Sequence, residues 1–218
     1  MHNFKAVIFD MDGLLLDSEQ LALDAFLATC SKFNLGDLSN VFNKCIGTNS
    51  ELVDATLKEG LNGIMDHKKF YLTWESLYTD LTKDKPIPLK KGAIYLLDHI
   101  SSMGIPMAVA TSTKTARARS KLNSSGILGY FSVIVGGDQV ANSKPNPEVY
   151  LKVASALSMN PAHCLALEDS SNGVKSALAA KMIVIQIPDL IQPDEALLKM
   201  GHIVLDSLFD VASYEFKS

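Results

Sequence analysis

The apolar positions divide the chain into a short first strand, a long helical segment and a series of alternating helices and strands. The uninterrupted apolar run at residues 6–9 is typical of a strand that is buried on both faces. From residue 16 to residue 85 the apolar residues recur with helical spacing, and no strand pattern interrupts them. The prolines of Lys85-Pro86-Ile87-Pro88 end that helical segment.

After these prolines the chain alternates between helix and strand. The pattern predicts helices at 93–103, 114–123, 148–157 and 174–180, and strands at 106–110, 133–135, 164–167, 183–187 and 202–205. Such alternation requires crossover connections, so the predicted fold class is α/β, a doubly wound parallel sheet with an inserted all-helical domain. We expect a core domain of residues 1–15 and 86–218 and a helical domain of residues 16–85. Ligands of such sheets bind beyond the carboxyl ends of the strands.

Composition and charge disfavour several classes of function. The 218 residues can form a sizeable core, and 47% hydrophobic with 20% charged residues is ordinary for a globular protein. The net charge of −4 provides no basic surface for nucleic acid or for an anionic membrane. The sequence has neither a signal-peptide pattern nor a membrane-spanning apolar run, so we expect a cytoplasmic location. Three widely separated cysteines are predicted to be reduced core residues: Cys30, Cys45 and Cys164.

Two carboxylates follow the first predicted strand. Asp10 and Asp12 are two residues apart, so an extended chain points both side chains to the same side. Their mutual repulsion favours a divalent cation nearby. The Asp-x-Asp pattern also opens EF-hand loops, but the later ligand positions of such a loop hold leucines here. An ordinary solvated turn remains an alternative for this stretch taken alone.

Polar residues also follow three later strands. Thr111-Ser112-Thr113 could bind a phosphate with hydroxyls and backbone N–H groups, or could simply cap the next helix. Lys144, just before a proline, could neutralise a carboxylate and a phosphoryl group, or could be a solvated loop lysine. Glu168 and Asp169 form a second acidic pair, and together with Asp10 they suit the oxygen ligation of Mg²⁺. The combination, with each group at a strand end of one parallel sheet, is far more specific than any single motif.

The chain resembles the haloacid dehalogenase superfamily of phosphohydrolases, in the subgroup that contains β-phosphoglucomutase, pseudouridine-5′-phosphatase and small sugar-phosphate phosphatases. Asp10-Met11-Asp12-Gly13 is similar to the first motif of that superfamily, Thr111 to the second, Lys144 to the third and Glu168-Asp169 to the fourth. The resemblance covers the whole chain and implies a Rossmann-like core. It also implies that the helical domain is a small cap, inserted after the first motif, which closes over the substrate.

The resemblance further implies a Mg²⁺-dependent phosphatase that works through an aspartyl-phosphate. Asp10 would be the nucleophile, and Asp12 would be the general acid and then the general base. The implied Mg²⁺ ligands are the Asp10 side chain, the backbone carbonyl of Asp12, and Asp169, with Glu168 acting directly or through water. The implied phosphate-binding groups are Thr111, the backbone N–H of Ser112, and Lys144.

The expected substrate is a small phosphorylated sugar, polyol or nucleoside, and small-cap relatives are often monomers. Five residues are expected near the boundary between core and cap or beside the substrate: Ser18, Glu19, Gly47, Thr48 and Lys114. Arg117 could touch a distal substrate group in the same way, although a solvated helix face is an equal alternative for both basic residues.

Two other functions compete with the phosphatase interpretation. A sugar-phosphate mutase is the first, but the mutase carries a cap arginine where segment 46–50 has none, and a histidine where this chain has Ala22. A catalytically idle binding module is the second, and the complete set of motif residues argues against it. Lys181 is a further departure, because relatives usually have a helix-ending glycine at that position.

Overall fold

A six-stranded parallel sheet forms the centre of the computed structural model, which describes residues 4–83 and 85–215. The spatial order of the strands is β3-β2-β1-β4-β5-β6. Their bounds are Ala6–Phe9 for β1, Met107–Ala110 for β2, Phe131–Val135 for β3, Cys164–Glu168 for β4, Ile183–Gln186 for β5 and Ile203–Val204 for β6. The predicted α/β class with a parallel sheet is confirmed. The order of the strands reverses between β1 and β4, and such a switch point is where open sheets bind ligands.

Helices cover both faces of the sheet, which explains why β1 is an uninterrupted apolar run. Val7 and Phe9 face a layer made of α5 (Ala93–Ser102), α6 (Thr115–Ser124) and α10 (Leu208–Glu215). Ala6 and Ile8 face the opposite layer of α7 (Glu148–Ala156), α8 (Ser171–Ala179) and α9 (Glu195–Leu198). All four side chains are fully buried. A strand in this position cannot alternate apolar with polar residues, because neither of its faces meets water.

Between β1 and α5 lies a group of four helices with a core of its own. The helical insert, residues 18–82, contains α1 (Ser18–Lys32), α2 (Ser39–Cys45), α3 (Ser50–Gly60) and α4 (His67–Thr82). The ring of Phe26 lies 5.1 Å from that of Phe70 and 5.4 Å from that of Phe42, between ring centroids. Aromatic contacts at these distances stabilise a core beyond simple burial. The division into a core domain and a helical domain, with boundaries near residues 16 and 85, stays a prediction.

The chain enters and leaves the helical insert beside the carboxyl end of β1. Leu16 forms one bridge with Asp12 and another with Leu89. The backbone N–H of Asp17 donates to the Pro88 carbonyl at 2.8 Å, and that of Lys90 donates to the Leu15 carbonyl at 2.9 Å. These paired crossings place the helices of the insert next to the residues that follow β1.

Differences from the predicted elements lie mainly at their ends. Helix α8 begins at residue 171, earlier than the predicted 174, because the Ser170 hydroxyl accepts a hydrogen bond from the Gly173 N–H at 3.2 Å and caps it. Helices α2 and α9 were not predicted individually, since seven and four residues are too few for a periodic pattern. Helix α10 follows the last predicted strand and was also missed. Among the described residues, we find no helix whose length and apolar character would let it cross a bilayer.

Lys181, just after α8, adopts a left-handed backbone conformation with φ of +61°. That conformation is costly for a residue with a side chain and free for glycine. We expect Lys181→Gly to raise the free energy of unfolding by about 0.5 kcal/mol, since relief of strain exceeds the added entropy of the unfolded chain. Urea denaturation measures the difference. Lys175→Gly, within α8, is the matched control and should lower stability by about 1 kcal/mol. A loss of stability in Lys181→Gly would contradict the prediction.

Candidate active site

Three carboxylates meet where β1 and β4 end. Asp10 follows β1, Glu168 is the last residue of β4, and Asp169 follows it. All three are buried, and carboxylate oxygens of the three lie within 4.8 Å of one another. The backbone of Asp10 is fixed by a hydrogen bond of 2.9 Å from its N–H to the Leu167 carbonyl. Pairing of the two central strands therefore brings together acids that are about 160 positions apart in the chain.

A buried lysine joins two of these carboxylates. The ammonium of Lys144 donates to Asp10 Oδ1 at 2.5 Å, to Glu168 Oε1 at 2.6 Å and to the Ala110 carbonyl at 3.0 Å. Only 2% of its side chain is exposed. The Tyr150 hydroxyl donates to the same Glu168 oxygen at 2.6 Å. A buried charge needs such partners, so Lys144 is not the solvated loop lysine that the sequence left open.

One ammonium does not balance three buried carboxylates. Burial raises the pKa of Asp10 to about 7, although Lys144 opposes the shift. Burial, followed by the charges of Asp10 and Glu168, raises the pKa of Asp169 well above its ordinary value. The remaining negative charge and the oxygen donors fit a hard divalent cation such as Mg²⁺, which would favour the ionised forms.

The side chain of Asp12 lies in a different environment and is not a member of this acidic cluster. Its Oδ1 accepts hydrogen bonds from the Ser18 hydroxyl and the Lys121 ammonium, both at 2.6 Å. Its Oδ2 accepts from the Thr113 hydroxyl at 2.7 Å. Burial acts to raise the pKa of Asp12, but the charge of Lys121 and the three hydrogen bonds outweigh it and leave the pKa below its ordinary value. Asp12 is therefore ionised in the free protein.

Gly13 allows the chain to turn between these two environments. Its φ is +84°, and a side chain there would collide with the Asp169 carboxylate. The Gly13 N–H donates to the Leu16 carbonyl at 2.9 Å, which closes the turn. Glycine at this position therefore serves both the left-handed conformation and the close approach of Asp169.

A cavity of about 330 Å³ lies between the sheet edge and the helical insert. Eleven residues singled out from the sequence line it: Asp10, Asp12, Ser18, Glu19, Gly47, Thr48, Thr111, Ser112, Thr113, Lys114 and Arg117. Of the other three, Lys144 and Glu168 lie behind Asp10 in the core, and Asp169 lines a neighbouring cavity of about 150 Å³ that it shares with Glu19. The structure thus brings the selected residues to one place, and their chemical roles stay predictions.

The Thr111-Ser112-Thr113 stretch does not cap the next helix. The first turn of α6 is instead bound by Asp138, whose Oδ1 accepts from the Thr115 N–H at 2.7 Å. The Thr111 hydroxyl accepts from the Thr113 N–H at 3.1 Å, and the Ser112 hydroxyl donates to the Gly47 carbonyl at 3.3 Å. Because Gly47 belongs to the helical insert, Ser112 also connects the two parts of the chain.

Sequence reasoning missed several residues of the site. Lys121 lies on the face of α6 that carries Lys114 and Arg117, at helical spacing, so extending that basic stripe by one turn would have found it. The sequence indicated phosphate binding or a helix cap for Thr113, and it did not indicate the hydrogen bond from its hydroxyl to Asp12. Nothing in the sequence marks Tyr150, which lies in the apolar pattern of α7. The cavity wall contributed by α4 holds Tyr71, Trp74 and Tyr78. From the sequence alone, aromatic residues at helical spacing in this segment favour a packed helical core over a ligand pocket.

Comparisons with known proteins agree with this geometry. The family model for haloacid dehalogenase-like hydrolases matches residues 7–187. A phosphorylated carbohydrates phosphatase from Thermotoga maritima is 31% identical over 208 residues, which cover 92% of this chain and 93% of that protein.

Solved structures share the fold over nearly the whole chain. A mutant of CbbY from Rhodobacter sphaeroides, in complex with xylulose-1,5-bisphosphate, superposes with a TM-score of 0.76 at 25% identity, covering 94% of this chain and 95% of that one. A β-phosphoglucomutase from Clostridium difficile gives a TM-score of 0.77 at 23% identity, covering 98% and 97%. The family match and the curated relative together establish that the chain belongs to the haloacid dehalogenase-like hydrolase family.

Proposed function

We propose that the protein is a Mg²⁺-dependent phosphatase of small phosphorylated metabolites. The observation that carries this proposal is the buried cluster of Asp10, Glu168 and Asp169, which lies at the edge of a cavity of metabolite size. The relatives support the substrate class, since one is named for phosphorylated carbohydrates and another was crystallised with a sugar bisphosphate. Sugar, polyol and nucleoside monophosphates are the candidates.

Asp10 is the proposed nucleophile. Its Oδ1 is held by Lys144, and the residue lines the cavity, so the other carboxylate oxygen can face an incoming phosphoryl group. Attack forms a bond from the Asp10 oxygen to phosphorus and breaks the bond from phosphorus to the ester oxygen, which leaves as an alcohol. Water then attacks the phosphorus of the aspartyl-phosphate, the bond from phosphorus to the Asp10 oxygen breaks, and inorganic phosphate leaves as the carboxylate is restored. One difficult displacement becomes two easier ones.

Asp12 is the proposed proton carrier for both steps. In the free protein its low pKa keeps it ionised, the form that accepts a proton from the attacking water. Donation to the leaving oxygen requires that Asp12 first take up a proton, and the arriving phosphoryl charge favours that uptake by raising its pKa. The same carboxylate can then alternate between acid and base.

The acidic cluster is the proposed metal site. Asp10, Asp169 and the backbone carbonyl of Asp12 would hold Mg²⁺, which when bound neutralises phosphoryl charge and lets one anion approach another. We assign Glu168 an indirect role, since its Oε1 already accepts from Lys144 and Tyr150 and its Oε2 accepts from the Asp169 N–H at 3.2 Å. The proposed binding groups for the phosphoryl oxygens are Thr111, the Ser112 N–H and Lys144. Lys144 would have to exchange one of its three present acceptors for a phosphoryl oxygen, because its ammonium already donates to Asp10, Glu168 and the Ala110 carbonyl.

The helical insert is the proposed cap, and its loops select the substrate. Gly47 and Thr48 approach the sheet edge from the insert, while Ser18 and Glu19 begin α1 at the boundary. Lys114 lies on the core side of the same cavity. A substrate in this cavity would therefore contact both parts of the chain. It would also exclude bulk water from the aspartyl-phosphate until the hydrolysis step.

Replacement of the nucleophile tests the function. We expect Asp10→Asn to lower phosphate release by at least about 10³-fold while the fold is retained, because an amide cannot form the aspartyl-phosphate. The assay measures phosphate release from a panel of phosphorylated sugars, polyols and nucleosides, with and without Mg²⁺. Asp24→Asn, on the exposed face of α1, is the matched control and should keep full activity.

Each outcome of that assay assigns a function. Activity retained in Asp10→Asn would exclude the residue as nucleophile. Conversion of hexose 1-phosphates into hexose 6-phosphates without free phosphate would identify a mutase. An inactive wild-type protein on the whole panel would favour a binding module.

Metal binding should depend on pH in a defined direction. The pKa of Asp10 is about 7 and that of Asp169 is also raised, so both carboxyls hold protons at low pH in the metal-free protein. Mg²⁺ requires the ionised forms, and its affinity should therefore rise with pH. We expect saturating Mg²⁺ to raise the thermal midpoint by about 5 °C at pH 8 and by much less at about pH 5.5.

Differential scanning calorimetry provides this measurement. Asp169→Ala should abolish the Mg²⁺-dependent increase, whereas Asp24→Asn should preserve it. An increase that is equal at both pH values, or that survives in Asp169→Ala, would contradict the assigned site.

A further inference from the structure

Lys121 forms a contact that the motifs of the sequence do not account for. It lies in the last turns of α6, and its ammonium donates to Asp12 Oδ1 at 2.6 Å. Only 12% of its side chain is exposed. The ammonium also lies 5.4 Å from the centroid of the Tyr78 ring in α4 of the helical insert. The pair therefore lies inside the cavity, with a residue of the insert beside it.

An enclosed ion pair of this kind is weak as a device for stability. Removing two charges from water costs several kcal/mol for each ion, and mutual attraction often only offsets that cost. An apolar pair of similar size would stabilise the protein as well. The position of Lys121 is better explained by what it does to Asp12.

The three donors to Asp12 come from three different parts of the chain. Ser18 begins the helical insert, Thr113 follows β2, and Lys121 lies near the end of α6. Lys121 is the charged donor among them, and it shares Oδ1 with Ser18. Because hydrogen bonds hold both oxygens of the Asp12 carboxylate, its plane has one orientation relative to Asp10. Asp10 lies two residues before Asp12, directly after β1.

We propose that Lys121 is a positioning residue that holds the Asp12 carboxylate in place for proton exchange with the leaving oxygen and with the attacking water. The assignment rests on the proposed function, because it presumes that Asp12 carries the proton. The Tyr78 ring covers the ammonium from the side of the insert, so the insert also shields the pair from water.

Kinetics of Lys121 variants test the proposal. Lys121→Met keeps an unbranched side chain that is one atom shorter and removes the charge, and we expect kcat to fall by about 10²-fold, the scale of general acid–base catalysis. KM should change by less than about threefold, because Lys121 does not bind the substrate itself. Lys121→Arg, which can still donate to Asp12, should recover at least about a tenth of wild-type kcat. Arg119→Met, an equal charge change on the exposed face of α6, should leave both constants unchanged.

A double variant separates positioning from other roles. If Lys121 acts through Asp12, adding Lys121→Met to Asp12→Asn should lower kcat by less than about threefold further, since the two residues act as a unit. An equal loss in both backgrounds would overturn the proposal, because it would mean an independent contribution. A raised KM with unchanged kcat would also overturn it and would make Lys121 a substrate-binding residue.

Unfolding measurements test the pair without an assay of activity. Asp12→Asn and Lys121→Met should each lower the urea midpoint, because each leaves one enclosed charge without its partner. The double variant should lie closer to the wild type than the sum of the single shifts predicts. Additive shifts would show that the pair does not form and would overturn the proposal. A different outcome is a wild-type protein that hydrolyses no compound of the panel while the shifts remain non-additive. That outcome would overturn the proposed function and the positioning role of Lys121, although the ion pair itself would stand.

Discussion

The structure depends on the concentration of negative charge at the junction of β1 and β4. Pairing of these central strands forces Asp10, Glu168 and Asp169 together, in a place from which neighbouring helices exclude water. Lys144 makes the arrangement possible, because one ammonium reaches both Asp10 and Glu168. Lys144 lies in the connection between β3 and α7, and Tyr150 on α7 donates to the same oxygen of Glu168. The residual charge is what a divalent cation would neutralise.

The central part of the fold could be predicted from the sequence because its signals are local. The apolar run of β1 and the proline-bounded helical segment each carry their own pattern, so the α/β class followed from order alone. Strand-end polar residues could also be selected, since parallel strands direct their carboxyl ends to one edge. The hydrogen-bond partners of Asp12 could not be selected. The bond from Lys121 to Asp12 joins positions 109 residues apart, and no periodicity encodes the rotamers that make it.

The aromatic residues of α4 show a different limit of pattern reasoning. Phe70 is fully buried against Phe26, as a core interpretation predicts. Trp74 belongs both to the core and to the cavity wall. Its ring centroid lies 5.2 Å from that of Phe26, and its indole N–H donates to the Ala22 carbonyl at 2.9 Å. The same side chain lines the cavity. The aromatic residues of α4 cover more of the helix surface than the core of the insert can bury, so some of them contact the core and others face the cavity. Core and pocket are therefore not exclusive alternatives in a small helical insert, whose inner helices face both its own core and the sheet edge.

Asp10 and Asp12 are chemically identical and two residues apart, yet their surroundings move their pKa values in opposite directions. Burial among carboxylates outweighs Lys144 at Asp10 and raises its pKa to about 7, whereas Lys121, Ser18 and Thr113 outweigh burial at Asp12 and lower it. The role proposed for Asp10, nucleophilic attack, requires an ionised carboxylate, and in that role Asp10 would need a cation in addition to Lys144. The role proposed for Asp12 is instead proton exchange, and the nearby Lys121 suits that role, because its hydrogen bond orients the carboxylate without coordinating it to a metal. Divergence of this kind between neighbouring acids is how one chain separates two roles in a single reaction.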